Sequence, residues 1–438
     1  MRQRGPVQLL LTTVLLLSLA ACSGDGEHNS QTPPTAQPAP EIDIIISDLW
    51  EVTIAPLLEA NLWESRYNYD ATHYLMVPMH WAFNMAIENR YREAFEAYFS
   101  RYLAEGSLND ETNRLRKLQY LYLHSQFLKL SVVPHEPLTD TQMALAQELE
   151  AALNEFWVEK AASNYGVSHF PGGVKDRMEF KLSTPNPDPE HARAIFDEEH
   201  YLFTIAADII AIKGEQDVSA QVIEIRDMGY RTFVSEGVEV GDGWLFQPGV
   251  WSHHPDYRYV GNESLLPGLS PIIIDDIAID SSHMHRMPLW LTSLRDSYDT
   301  ARPEYAYFDD VLARMRTQLD TVMLAPADAV LGAPRLFNFS DGWNGVYRYN
   351  YDTVADNLGY GPFQLSGVLP YSWYAFLGNT ELANQVADIN FPLTSQAVDL
   401  YVGPNTSRIR HPLVTWPEYF TNGFAELNFK LFAEIASQ

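Results

Sequence analysis

Between Gly241 and Gly261 the chain reads GDGWLFQPGVWSHHPDYRYVG, a run crowded with groups that can move protons or bind sugars. Removing a proton beside a sugar carboxylate takes three things: a donor to neutralise the carboxylate, a base for the carbon-bound proton and an acid for the departing oxygen. Gln247, His254, Tyr257 and Tyr259 supply those types within thirteen residues. Trp244 and Trp251 add rings on which a sugar stacks, and His253 adds a further hydrogen-bonding group. Glycine and proline interrupt the run too often for a helix, so it reads as an irregular loop, the kind of segment that carries functional groups on a rigid scaffold.

A second stretch of the same character spans Asn338 to Gly367. Within it Asp341, Trp343, Asn344 and Arg348 combine an acid, a stacking ring, an amide and a cation that suit sugar hydroxyls. If the chemistry is hydrolysis, Asp242 and Asp341 form the natural carboxylate pair, one acid and one base. A third cluster, Asp280 to Arg286, holds His283, His285 and Arg286. Its His-x-His spacing puts two imidazoles on one face of a strand but on opposite sides of a helix. With a helix starting near Met287, Ser281 or Ser282 reads as a cap and the cluster as groove-lining rather than metal-binding.

In the order Asp242-Gly243, Phe246-Gln247, His253-His254, Tyr257, Tyr259, Gly261, the first stretch resembles a segment of the toroid polysaccharide lyases that act on chondroitin, heparin and alginate. Those proteins show Asp-Gly-Ser, an aromatic residue, a His, and then Tyr and Gly. Here Trp244 stands at the Ser position, the spacing to His is longer, and the match covers roughly twenty of 438 residues. The resemblance implies an (α/α)-toroid and cleavage by β-elimination.

Helices must position these loops. Apolar residues recur at three- and four-residue spacing over Tyr74 to Leu103, Asp110 to Leu130, Thr139 to Ala162, Ala192 to Lys213 and Val218 to Val234. Thr139 or Asp140 is a plausible cap for the third of these. Further helices read at Met287 to Tyr298, Glu304 to Met323, Leu369 to Leu377, Glu381 to Asn390 and Pro417 to Ala436. Ser163 to Pro189 reads as loop, and Val238 to Phe246 and Pro271 to Ile279 as strands. Asp197-Glu198-Glu199-His200 reads as a solvated or capping helix face. The expected fold is mainly α: a toroid-like helical barrel with long glycine- and aromatic-rich loops that meet at one end, and little β.

The N-terminus adds an address. Arg2 and Arg4 precede the apolar run Leu9 to Leu19, and Leu19-Ala20-Ala21-Cys22 resembles the lipobox of bacterial lipoproteins. That implies a leader over 1–21, lipidation of Cys22, a Pro-rich tether over 22–40 and a body over 41–438. Ser23 after the cysteine favours the outer membrane. Removing the leader takes away Arg2 and Arg4 and moves the net charge from −28 to −30. So acidic a surface excludes nucleic acid as a partner and leaves the lipid as the membrane contact. No Gly-rich phosphate loop and no Gly-x-Ser-x-Gly is present, so no cofactor is expected. These observations predict a lipid-anchored protein that cleaves a polysaccharide or oligosaccharide, by elimination ahead of inverting hydrolysis. A glycan-capture lipoprotein without catalysis is the rival from another class.

Overall fold

Two burial patterns divide the helices of the computed structural model, which describes residues 41–438 except 65, 109–112, 165–167, 186, 351–358 and 405–409. The leader, Cys22 and the segment up to Pro40 lie outside the described residues. In chain order, α1 (Glu41–Val52) and α2 (Ile54–Glu59) lead to α3 (Asn68–Asn84), α4 (Arg90–Glu105), α5 (Arg114–Ser131) and α6 (Asp140–Asn154). A hairpin of β1 (Ala162–Asn164) and β2 (Ser168–Phe170) precedes α7 (Gly173–Ser183), α8 (Asp197–Lys213) and α9 (Ala220–Glu236). A second hairpin pairs β3 (Gly237–Val240) with β4 (Gly243–Phe246). Then come α10 (Ser281–Met284), α11 (Met287–Asp296), α12 (Pro303–Gln318), α13 (Glu381–Ala387), α14 (Ser395–Val402) and α15 (Phe424–Ala436). The chain is mainly helical with little strand.

Helices α3, α5 and α8 are buried all round, over Asp70–Ala82, Leu118–Leu128 and Glu198–Ile210. By contrast α4, α6 and α12 bury one stripe each, such as Tyr91, Phe95, Tyr98, Phe99 and Tyr102 on α4. The fully buried helices are one another's neighbours: α3 packs on α5, α5 on α8, and α8 on α11. The 3₁₀ segment Trp373–Leu377 packs on α11 and α15, and α15 returns to α3. Trp81 on α3 donates to Glu434 on α15 at 2.5 Å across that seam. Trp81, Phe95 and Trp157 sit in the core.

The inner helices share a buried polar network. Gln126 on α5 donates to Asp208 on α8 at 2.6 Å and to Ser293 on α11 at 3.0 Å, and its carbonyl faces His80 on α3 at 3.0 Å. Each partner satisfies a group that would be costly to bury alone. Burial raises the Asp208 carboxyl, with Lys129, Ser125, Ser293 and Gln126 pulling the other way.

Several sequence expectations need correction. The single helix read over Tyr74 to Leu103 is two, α3 and α4. Arg92 donates to the Ala82 carbonyl at 3.1 Å, satisfying an acceptor that the end of α3 leaves open, and Ile87 is 86 % exposed at the turn. Apolar residues keep three- and four-residue spacing on both sides of the turn, so periodicity hides the break. The loop expected over Ser163 to Pro189 contains β1, β2 and α7. The strand read over Val238 to Phe246 is the β3–β4 hairpin, turning at Gly241 with φ 59°. Pro271 to Ile279 forms no strand among the described residues. The last helix begins at Phe424 rather than Pro417, after Gly423 in the left-handed region. Thr139 caps α6 as expected, in a reciprocal box with Gln142.

The acidic start of α8 is a buried ion network rather than a solvated face, while Glu199 also caps the helix by accepting the Phe196 N–H at 3.0 Å. Glu199 meets Arg177 at 2.8 Å and Lys181 at 2.5 Å, while Glu198 meets Arg114 at 2.7 Å and Arg177 at 3.0 Å. Three basic residues from α5 and α7 converge on the first turn of α8, and no local sequence signal could place them there.

Candidate functional site

The two glycine- and aromatic-rich stretches pack against each other. Trp343 Nε1 donates to the Val260 carbonyl at 2.6 Å, Val346 N–H to Asn262 at 2.9 Å, and Arg348 N–H to Asp256 at 3.0 Å. A Cβ on Gly345 would lie 1.8 Å from the Val260 carbonyl oxygen, so only glycine permits the approach. Trp251, Tyr257, Val260, Phe339 and Tyr347 form a small second core between the loops.

Under these loops lie two cavities. The larger, about 340 Å³, is lined by Trp251, His254, Asp256, Tyr257 and Asp280 on one side and by the start of α8 and α11 on the other. The smaller, about 120 Å³, is lined by Tyr69 and His73 of α3, His285, Arg286, Tyr371 and Arg410. His283, Tyr347 and Arg348 line both, so they stand where the two meet.

His283 is held from behind by Asp280, which is fully buried. His283 Nδ1 donates to Asp280 Oδ2 at 2.8 Å; the carboxylate also accepts from Tyr257 Oη at 2.8 Å and from the backbone N–H of Ser282 at 3.1 Å. Asp280, not a serine, is therefore the cap of α10. Burial opposes its ionised form, but the charge and hydrogen bond of His283, with Ser282 and Arg348, outweigh it and hold the carboxyl well below the usual range. In its neutral form, with the proton on Nδ1 toward Asp280, His283 presents Nε2 as a base. Tyr347 Oη has no protein hydrogen-bond partner among the described residues, and burial holds its hydroxyl protonated, against the pull of Arg348.

Arg348 sits at φ 53°, in the left-handed region, a conformation that costs a non-glycine residue of order 1 kcal/mol. Its Nε donates to Asp256 at 2.7 Å, which with the backbone bond to the same residue fixes its direction. His254 accepts the Asp256 N–H on Nδ1 at 3.2 Å, leaving Nε2 as donor; burial, against Asp256, lowers its pKa to about 4.

The remaining sequence candidates divide between the cleft and its supports. His285 and Arg286 line the smaller cavity. His285 lies edge-on to Trp373, and Arg286 pairs with Asp197 and donates to His73 Nε2 at 3.1 Å. His283 and His285 both line the smaller cavity. Tyr257 lines the larger cavity, but its hydroxyl is committed to Asp280. Gln247 is buried at φ 46°, bridging the Ile195 N–H at 2.8 Å and Glu236 at 2.8 Å. Tyr259 packs on Tyr349 outside both cavities. Trp244 lies in the helical core beside Phe233 and Phe246. His253 is exposed near Glu190, and Asn344 accepts the Phe363 N–H at 2.9 Å. Asp242 occupies the β3–β4 turn, and Asp341 accepts the N–H groups of Ala278 and Trp343 at 3.0 and 2.9 Å. Neither aspartate lines the cleft. Asp280, Tyr347, Tyr69, His73 and Arg410 went unread as site residues; the first two lay inside quoted clusters, the others far from any. Among the described residues no group of three or more His, Cys, Asp or Glu is arranged to hold a metal ion, and no helix is long and apolar enough to cross a membrane. Compared with known proteins, the chain matches no family model, no curated protein and no solved structure.

Proposed function

We propose that this protein binds a polysaccharide in the double cavity and cleaves it by β-elimination. The observation that carries the reading is the meeting point of the cavities, where the Asp280-oriented His283 and the uncommitted Tyr347 hydroxyl stand together. His283 Nε2 takes the proton beside the sugar carboxylate, and the C–H electron pair becomes a carbon–carbon double bond. The glycosidic C–O bond breaks, and the leaving oxygen takes the Tyr347 proton. His283 and Tyr347 exchange the proton back through solvent. Arg348 lies beside the developing negative charge, and Tyr257 acts through Asp280 as a positioning residue.

Elimination is favoured over hydrolysis by what the cleft carboxylates already do. Asp197 pairs with Arg286, Glu198 with Arg114 and Arg177, Asp256 with Arg348, and Asp280 with His283. Among the described residues none is left to act as an unpaired proton donor, as an inverting hydrolase needs. The return of α15 to α3 supports an (α/α)-toroid as the finer description of the helical body. The lipobox supports export and anchoring through Cys22 at the outer membrane.

Screening uronate-bearing and neutral glycans by ultraviolet absorbance and by reducing ends tests the chemistry. Elimination yields both signals, hydrolysis yields reducing ends alone, and glycan binding without either leaves a capture protein. His283→Gln and Tyr347→Phe are each expected to lower turnover by about 10²–10⁴-fold while binding persists. Full activity in either variant refutes the assignment.

A further inference from the structure

We infer that the smaller cavity is a subsite for the acidic group of a sugar, a carboxylate or a sulfate ester, and that Arg410 recognises it. The inference rests on the carbohydrate reading of the cleft and names its ligand class. The chain carries 57 acidic against 29 basic residues, yet among the described residues this cavity is lined by Arg286, Arg348 and Arg410 and by no Asp or Glu. Arg286 and Arg348 are balanced by Asp197 and Asp256, both of which face the larger cavity. Arg410 is not balanced. Its Nη1 donates to Tyr74 Oη at 3.0 Å and its guanidinium lies 4.0 Å over the Trp416 ring. Among the described residues it makes no ion pair. A guanidinium has five N–H donors in a planar fork, so a carboxylate or sulfate can still be bound by two of them.

Size points the same way. At about 120 Å³ against about 340 Å³, the smaller cavity has room for an acidic substituent while the larger takes the ring. The sugar ring that bears it then lies toward His283, at the junction. A net charge of −28 repels an anion at long range, so recognition must come from this local concentration of arginine.

Trisaccharides of galacturonate, glucuronate and mannuronate test this, each beside its methyl ester, which keeps the ring and removes the charge. A sulfated galactose trisaccharide beside its unsulfated form distinguishes the two anion sources. Binding to the full chain is read by calorimetry and tryptophan emission. At least one acid form is expected to bind about tenfold or more tightly than its uncharged partner. Arg410→Gln should erase that preference and Arg410→Lys restore part of it. Arg314→Gln, which removes a cation paired with Asp310 and Glu239, should leave it intact. Preference for no acid form in any pair, or a preference that survives Arg410→Gln, overturns the inference. An Arg410-dependent preference without any cleavage refutes elimination and upholds the subsite; cleavage with esters and acids bound alike does the reverse.

Discussion

Acid should destabilise this protein through histidines that it buries neutral, His80 and His200 among them. Burial lowers the pKa of His80 to about 3 and that of His200 to about 4, from an ordinary 6.5. The unfolded chain takes up these protons below pH 6.5 while the folded chain does not. Their contribution is therefore complete above pH 6.5 and is lost as pH falls, until about 4 for His200 and about 3 for His80. At pH 5 each costs about 2 kcal/mol, since one pKa unit corresponds to about 1.4 kcal/mol. Together they remove about 4 kcal/mol, a large part of a typical stability of roughly 5–15 kcal/mol. His200 gives the sharper test. It stacks on Trp290 at 4.6 Å, and neither ring nitrogen has a protein partner among the described residues. Phenylalanine keeps the ring and removes the nitrogens, so His200→Phe should hold or raise stability at pH 7.5. Urea unfolding of wild type and variant at pH 7.5, 6 and 5 measures both effects. The variant should lose about 2 kcal/mol less than wild type between pH 7.5 and 5. An unchanged loss, or a variant much weaker at pH 7.5, would refute the argument.

Two further expectations concern the loops and the anchor. Gly345→Ala sets a methyl group against the Val260 carbonyl and should lower stability by about 1–3 kcal/mol while disturbing the junction of the cavities; thermal melts and ligand titration read the two effects. Cys22→Ser should move the protein from the membrane fraction to the soluble fraction with an unchanged melt, and a variant that still pellets in high salt would count against lipidation.

The helical scaffold was legible because each outer helix carries one apolar stripe at helical spacing, as Tyr91, Phe95 and Tyr102 do. The turn at Ile87 was not, since both flanking helices keep that spacing. The first loop was recognisable by composition, whereas its meeting with the second was expected only from the toroid architecture. Roles inside it were less so. Tyr257 looked like a proton carrier in sequence, yet its hydroxyl belongs to Asp280, twenty-three residues away. Gln247 looked like a ligand donor and instead ties the hairpin to the chain before α8. A side chain's type states what it can do, whereas its partner decides whether it remains available. Arg410 lay beyond reach because it comes to His73 and Arg286 only when α3 and the C-terminal region pack together.

That seam bears on how the chain is made. Trp81 and Glu434 are 353 residues apart, so their contact cannot form until those residues have left the ribosome. At about 5–20 residues per second, the buried face of α3 waits roughly 20–70 s for its last neighbour. Contacts of such long sequence separation also slow folding. Until α15 arrives, the face of α3 that it covers stays exposed, a condition that favours mispairing and chaperone contact.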